Sequence, residues 1–128
     1  MEITAVLIDS DVLIEVARDR DPDLLTRWRE LAASGVLIAV SPVTIAELWH
    51  GVRERERPKL EQLFASLLCL PADAAIGRKT GDYLHKFHAS HGLGLGDAMI
   101  AATASVHAMP LWTRNRRHYP MPDLTFYN

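Results

Sequence analysis

The sequence is poor in cysteine and contains no long apolar run. Its 128 residues include a single cysteine, Cys69, which excludes an internal disulfide and favours a reducing compartment. No apolar stretch approaches the roughly 20 residues that a membrane-spanning helix needs. The N-terminus has no basic segment ahead of an apolar one, so we expect no signal peptide. These absences predict a cytoplasmic protein without a membrane segment.

A strong charge of one sign is also absent. The formal net charge is −2, and 48% hydrophobic with 23% charged residues is an ordinary globular composition. The chain as a whole therefore does not indicate nucleic-acid binding, and any basic surface has to be local. A length of 128 residues predicts one domain that spans residues 1–128.

Predicted strands alternate with predicted helices along the chain. Strands are predicted at 3–8, 36–40 and 110–113, and an edge strand at 125–127. Helices are predicted at 12–17, 22–34, 72–90 and 97–107, and two more begin at residues 42 and 58. The helix from 58 is predicted to carry Leu67 and Leu68 on its inner side. This alternation predicts an α/β fold, a three-layer sandwich with a central parallel sheet flanked by helices.

Three carboxylates stand where such a sheet would bring them together. Asp9 ends the first predicted strand, Glu47 lies beside the apolar stripe of the helix from 42, and Asp97 begins a strongly apolar helix. Taken singly, Asp9 is better explained as a helix cap, and Glu47 equally well as a boundary residue whose carboxylate reaches water. Ligands of parallel sheets bind beyond the carboxyl ends of the strands. The three together therefore predict a hard-oxygen site for Mg²⁺ or Mn²⁺.

The chemistry expected of such a site is phosphodiester hydrolysis. Without a cation the three like charges would repel one another and titrate as a coupled set. One or two divalent ions would bind them, activate water and stabilise the charge that develops on the phosphodiester.

Four short motifs in this chain resemble those of PIN-domain nucleases, and within them the VapC-type toxins of toxin–antitoxin modules. They are Ile8–Ile14, Ile45–Leu48, Asp97–Ala104 and Thr113–Asn115, and the resemblance covers nearly the whole chain. It implies a metal-dependent endoribonuclease in which Asp9, Glu47 and Asp97 bind the metal. Asn115 would be the polar residue of the final motif. The resemblance also implies an RNA substrate, an antitoxin protein as partner and a homodimer.

One position departs from the pattern of that family. Where the family has a fourth acidic residue, three positions after Asn115, this chain has His118. A neutral imidazole can bind metal, but it removes one negative charge from the site. The sequence therefore does not decide whether one ion or two bind, and His118 joins the candidate catalytic residues. Asp11 or Asp123 would be able to compensate, and the sequence does not choose between them. The departure also supports an alternative function, a non-catalytic PIN-like module that binds RNA or protein.

Basic residues cluster around the last motif. Arg114 and Arg116 flank Asn115, with Arg117 next to them, and are candidates for contacts with substrate phosphates. The alternative is a solvated basic turn. The run 53–57 alternates in sign and is predicted to be a solvated helix end without a direct role.

Several other features are assigned no chemistry. Cys69, in an apolar region, is predicted to be a small buried hydrophobe. No Cys or acidic partner completes a zinc site with the histidines His85, His88 and His91. Apolar side chains on short helices support a homodimer, because a small domain does not readily bury them all. They are Leu25, Trp28, Leu31, Leu63, Phe64 and Leu67.

Asp9 and Asp11 also fit a rival enzyme class. A pair of aspartates after a strand occurs in aspartyl phosphotransferases and phospho-receiver domains. Both designs need a lysine late in the fold to neutralise the phosphoryl group. The lysines here are Lys59, Lys79 and Lys86, and none follows the predicted strand at 110–113, which disfavours this class.

Overall fold

The protein, described by a computed structural model of residues 3–128, is built on four parallel strands. The strands are β1 (Ala5–Ile8), β2 (Leu37–Val40), β3 (Leu68–Cys69) and β4 (Leu111–Trp112), in the spatial order β3-β2-β1-β4. Met1 and Glu2 lie outside the described residues, so the part of the predicted domain 1–128 that they form is not described. Because β1 lies between β2 and β4, the residue that follows it emerges at the middle of one sheet edge.

Six helices connect these strands in residues 3–128. They are α1 (Ser10–Arg18), α2 (Pro22–Ala33), α3 (Pro42–Gly51), α4 (Arg57–Ala65), α5 (Ala74–His91) and α6 (Leu95–Val106). Four of them begin at a side chain that accepts a backbone N–H, namely Asp9, Asp21, Ser41 and Asp73. Within the described part of the chain, no helix is both long and apolar enough to cross a membrane.

Helices cover both faces of the sheet, which confirms the predicted α/β sandwich. Alternate residues of a strand point to opposite faces, so Leu7 packs into one core and its neighbours Val6 and Ile8 into the other. The first core is formed with α5 and α6, and the second with α1, α2, α3 and α4. Leu111 and Trp112 divide between the two cores in the same way.

The end of the helix from 58 was predicted wrongly. Helix α4 ends at Ala65, and Leu68, predicted on its inner side, begins the short strand β3. Cys69 is exposed and not buried as predicted, because β3 is the outermost strand and has a single neighbour, β2. A strand of two residues is too short to show an alternation that sequence patterns can detect.

Two further differences from the predictions concern the C-terminal residues and the start of α6. The predicted edge strand at 125–127 is reduced to a single parallel bridge between Phe126 and Leu111. Helix α6 begins at Leu95, so Asp97 lies inside its first turn and not at its start. Both changes leave the predicted order of elements intact.

Candidate active site

Asp9 is fixed at the carboxyl end of the central strand. Its backbone N–H donates to the carbonyl of Trp112 (2.9 Å), which places it beside Thr113 on the neighbouring segment. The side chain is 5% exposed. One carboxylate oxygen accepts the N–H of Ser10 (2.7 Å), and the other accepts the hydroxyl of Thr113 (2.7 Å). Asp9 therefore caps α1, as the simpler interpretation proposed, and also faces the open edge of the sheet.

Glu47 reaches the same edge from α3. The Ser10 hydroxyl donates to its Oε1 (3.2 Å) and lies 2.8 Å from the Thr44 hydroxyl. A Cβ at Gly96 would lie 3.6 Å from the same Oε1, so the carboxylate faces the first turn of α6. Burial of this end raises the pKa of Glu47, and the charges of Asp97 and Asp9 raise it further. Glu47 and Asp9 are thus joined through Ser10.

Asp97 approaches from the first turn of α6. Burial raises its pKa, as does the nearby charge of Asp9, while His118 and Tyr119 act in the opposite direction. The Tyr119 hydroxyl lies 3.5 Å from Oδ1 of Asp97, and Nδ1 of His118 lies 3.8 Å from Oδ2. The structure therefore brings Asp9, Glu47 and Asp97 to one sheet edge, where each is close enough to sense the charge of another.

Asn115 and His118 border this carboxylate group together. The amide Nδ2 of Asn115 lies 3.0 Å from Nε2 of His118, and the Asn115 backbone N–H donates to the Thr113 hydroxyl (3.0 Å). The His118 ring thus spans from Asn115 to Asp97.

Asp11 is the additional acid that lies at the site. Its Oδ2 accepts the backbone N–H of Arg114 (3.1 Å) and lies 3.4 Å from the Thr113 hydroxyl. Its Oδ1 is buried and has no hydrogen-bond partner in the described residues. Burial, followed by the charge of Asp9, raises the pKa of Asp11 to about 6. Asp11 and Asp9 are therefore neighbours in space as well as in sequence.

Asp123 does not lie at this site. It forms an ion pair with Lys79 (2.9 Å) and accepts the hydroxyls of Tyr83 (2.8 Å) and Ser105 (3.1 Å). Burial acts to raise the pKa of Asp123, but these three donors together outweigh it and hold the pKa at about 2. Between the two acids that the sequence left open, the geometry favours Asp11.

The basic residues of the last motif point in different directions. The guanidinium of Arg114 lies 3.9 Å from Glu15 and 3.9 Å from Asp21, next to α1 and α2. That of Arg116 instead contacts Asn128 and lies over the ring of Phe126, 4.9 Å from its centroid. Of the two predicted phosphate contacts, Arg114 faces the half of the molecule that carries Glu47, and Arg116 is turned toward the C-terminal residues.

The donor chemistry of the site fits a hard divalent cation. It offers carboxylate and hydroxyl oxygens as ligands, among them the unpartnered oxygen of Asp11. A cation would also relieve the repulsion among the carboxylates. Within residues 3–128, however, no three His, Cys, Asp or Glu side chains already converge closely enough to hold an ion. The carboxylates would therefore have to come closer together when an ion binds.

Sequence reasoning missed the uncharged residues that organise the site. Ser10, Thr44 and Thr113 are buried hydroxyl residues that connect the acids to one another. Tyr119 is also buried, and burial, then the charges of Asp9 and Asp97, raises its pKa, which keeps the hydroxyl protonated. A signal was present for Thr113, which directly follows β4, and for Ser10, which is the second residue after β1.

Comparison with known proteins supports one family throughout the chain. Residues 6–124 match the PIN domain family. Ribonuclease VapC10 of Mycobacterium tuberculosis is 41% identical over 117 residues, which are 91% of this chain and 86% of that protein. Ribonuclease VapC19 of the same organism is 37% identical over 120 residues, which are 92% of this chain and 95% of that protein.

Solved structures share the fold at lower sequence identity. VapBC2 from Rickettsia felis, bound to a DNA fragment from its promoter, gives a TM-score of 0.81 at 21% identity over 97% of this chain and 98% of that one. DNA-bound VapBC from Salmonella typhimurium gives a TM-score of 0.81 at 20% identity, covering 98% of each chain. These similarities establish the arrangement of strands and helices.

Proposed function

The chain belongs to the PIN-domain family, and on that premise we propose that it is a metal-dependent endoribonuclease, the toxin of a toxin–antitoxin pair. One observation carries the proposal most. Asp9, Glu47 and Asp97, from three separate segments, lie at one sheet edge, and the carboxylate pKa values of Glu47 and Asp97 are raised there. Relatives named ribonucleases that align with nine-tenths of the chain support RNA as the substrate. We treat residues 1–128 as one nuclease domain and place it in the cytoplasm.

Asp9, Glu47 and Asp97 would hold one or two Mg²⁺ or Mn²⁺ ions. A bound cation supplies an activated water and stabilises developing charge on the phosphodiester. The chain's own residues prepare the site for this. Thr113 and the Ser10 N–H orient Asp9, and the Ser10 hydroxyl holds Glu47 in reach of Asp9.

The remaining polar residues border the reacting group. Tyr119, protonated at any working pH, donates toward Asp97 and keeps its carboxylate directed to the site. Asn115 and His118 form the adjacent rim, where we assign them contacts with substrate or water. We retain Arg114 as a substrate-phosphate contact. We rank Arg116 below it, because its guanidinium is engaged with Asn128.

The antitoxin partner is proposed because the structural relatives are VapBC complexes. The homodimer is proposed on family resemblance alone, because the apolar residues cited for it are mostly used inside the molecule. Leu31 is buried, Trp28 stacks on Trp112 (6.4 Å between centroids), and Leu63 and Phe64 pack against the second core. Light scattering of the purified chain, with and without a co-expressed antitoxin, tests both assemblies. A monomer at high micromolar concentration would reject the homodimer.

The activity is tested by cleavage of single-stranded RNA. We expect cleavage with Mn²⁺ or Mg²⁺ that leaves 5′-phosphate and 3′-hydroxyl ends, as activated water acting as nucleophile would produce. The end groups are read by labelling with and without phosphatase treatment. Full activity in EDTA would reject metal dependence.

A non-catalytic PIN-like binding module is the second candidate. It is favoured by His118 at the position of the fourth acid and by the absence, in residues 3–128, of three ligands already converged on one point. RNA or protein binding without cleavage, at saturating Mn²⁺ and with folded protein, would select this candidate over the enzyme.

A further inference from the structure

Three arginines are gathered on one carboxylate beside the candidate active site. Oε1 of Glu15 lies 3.1 Å from Arg20, 3.8 Å from Arg18 and 3.9 Å from Arg114. The Glu15 side chain is only 16% exposed, whereas the three arginines are 47% to 62% exposed. A mostly covered carboxylate thus holds together three guanidinium groups that would otherwise repel, and leaves their donors open to solvent.

This arginine cluster (Arg18, Arg20 and Arg114) is connected to the carboxylate edge by a cavity. A cavity of about 620 Å³ between α1, α3 and α4 is lined by Arg18 and Arg20 and also by Glu47. Two more cationic side chains, Arg53 and Lys59, line it, against the acids Glu47 and Glu56. The surface is therefore locally positive in a chain whose formal net charge is −2.

We propose that the arginine cluster and this cavity bind the phosphodiester backbone of the RNA on one side of the scissile bond. The inference rests on the proposed function, because it assigns a part of the surface to the same substrate. Exposed guanidinium groups recognise phosphate through paired N–H donors. Among the described residues that line the cavity none is aromatic, so recognition there is of the charged backbone and not of stacked bases.

Salt dependence distinguishes this role from a structural one. The probe is a mixed-sequence single-stranded oligoribonucleotide, bound to the antitoxin-free chain in EDTA over a range of salt concentrations. For single strands, the slope of log affinity against log salt changes by roughly 0.7 for each phosphate that the protein no longer neutralises. We expect the triple variant R18Q/R20Q/R114Q to make this negative slope shallower by about 2. We also expect it to weaken binding about 100-fold at 0.1 M salt.

Two control variants keep the test interpretable. The triple variant R18K/R20K/R114K preserves charge and should retain most of the slope. Arg78→Gln removes one positive charge on α5, on the opposite face of the sheet, and should leave the slope unchanged. Circular dichroism confirms that each variant is folded.

The outcomes separate this inference from the proposed function. Wild-type cleavage of RNA, together with an unchanged slope in the glutamine variant, would overturn the arginine cluster as a backbone site and leave the nuclease standing. A glutamine variant that loses antitoxin binding but keeps its RNA slope would assign the surface to the protein partner instead. A lowered slope in the glutamine variant, with a wild type that never cuts RNA, would keep the binding site and reject the nuclease.

Discussion

The acids at the carboxyl end of the sheet and Asp123, which lies elsewhere in this protein, are in opposite electrostatic states. At the sheet edge, Asp11, Glu47 and Asp97 have raised pKa values, because burial disfavours their charge and the charge of Asp9 repels them. Asp123 has a pKa of about 2, because an ammonium and two hydroxyls donate to it and outweigh the effect of burial. The fold stabilises the charge of Asp123 with donors from its own residues, whereas the charges at the sheet edge are disfavoured by burial and mutual repulsion.

This difference indicates which acids are available to a ligand. An ion pair such as Asp123–Lys79 is complete within the chain and has no remaining demand for a cation. The carboxylates at the edge repel one another, and a divalent ion would convert that repulsion into binding energy. Perturbed pKa values of this kind are typical of functional sites. Four predictions test the contrast between the two groups.

The largest expected effect is on cleavage. Asp97→Asn should lower RNA cleavage by at least about 10³-fold, because it removes a charge that the metal requires. Asp123→Asn, the same chemical change at the satisfied acid, should leave the cleavage rate within twofold. Single-turnover cleavage with Mn²⁺ measures both. Equal losses in the two variants would show that the contrast does not reflect function.

The second effect concerns metal affinity. His118→Asp would place a fourth carboxylate next to Asp97, where His118 Nδ1 now lies 3.8 Å from Oδ2, and should tighten Mg²⁺ binding about tenfold. Titration calorimetry measures this. His85→Asp on the exposed face of α5 is the matched control.

The third effect is a gain in stability at Asp11. Its folded-state pKa of about 6 lies above the ordinary value of 3.8, so the charged form destabilises the metal-free protein above pH 6. Asp11→Asn should raise the free energy of unfolding by about 1 kcal/mol at pH 7.5, after allowance for solvent screening. The gain should shrink as pH falls through 6 toward 4. Urea unfolding in EDTA measures it, and a pH-independent loss of stability would contradict the prediction.

The smallest effect has the opposite sign. The pKa of Asp123, about 2, lies below its ordinary value of 3.8, so its charge stabilises the fold above pH 3.8 and this contribution is lost as pH falls toward 2. Asp123→Asn should lower the free energy of unfolding by about 0.5 kcal/mol at pH 7.5, since the side chain is 42% exposed and screened. The same urea series measures it. A stabilising Asp123→Asn would erase the contrast with Asp11.

Much of the fold and the position of the acids followed from the sequence. The alternation of strands and helices was predicted because apolar strand-length runs end at capping residues such as Asp9 and Ser41. In a parallel sheet, the residues after successive strands share one edge, which predicted that Asp9 would face a common site. Glu47 and Asp97 were assigned to the same site because of the family resemblance as well as their positions in the sequence. The short strand β3 escaped prediction because two residues show no periodicity.

Tertiary structure alone decided how each charge is used. The sequence held Asp11 and Asp123 as equal candidates, and only folding placed one beside Asp9 and the other beside Lys79. Likewise, Thr113 and Asp9 are 104 residues apart, yet a 2.7 Å hydrogen bond joins them. Local pattern indicates which residues a segment can bury. The side chains that stabilise or destabilise a charge come from distant segments, and tertiary packing determines which of them lie next to it.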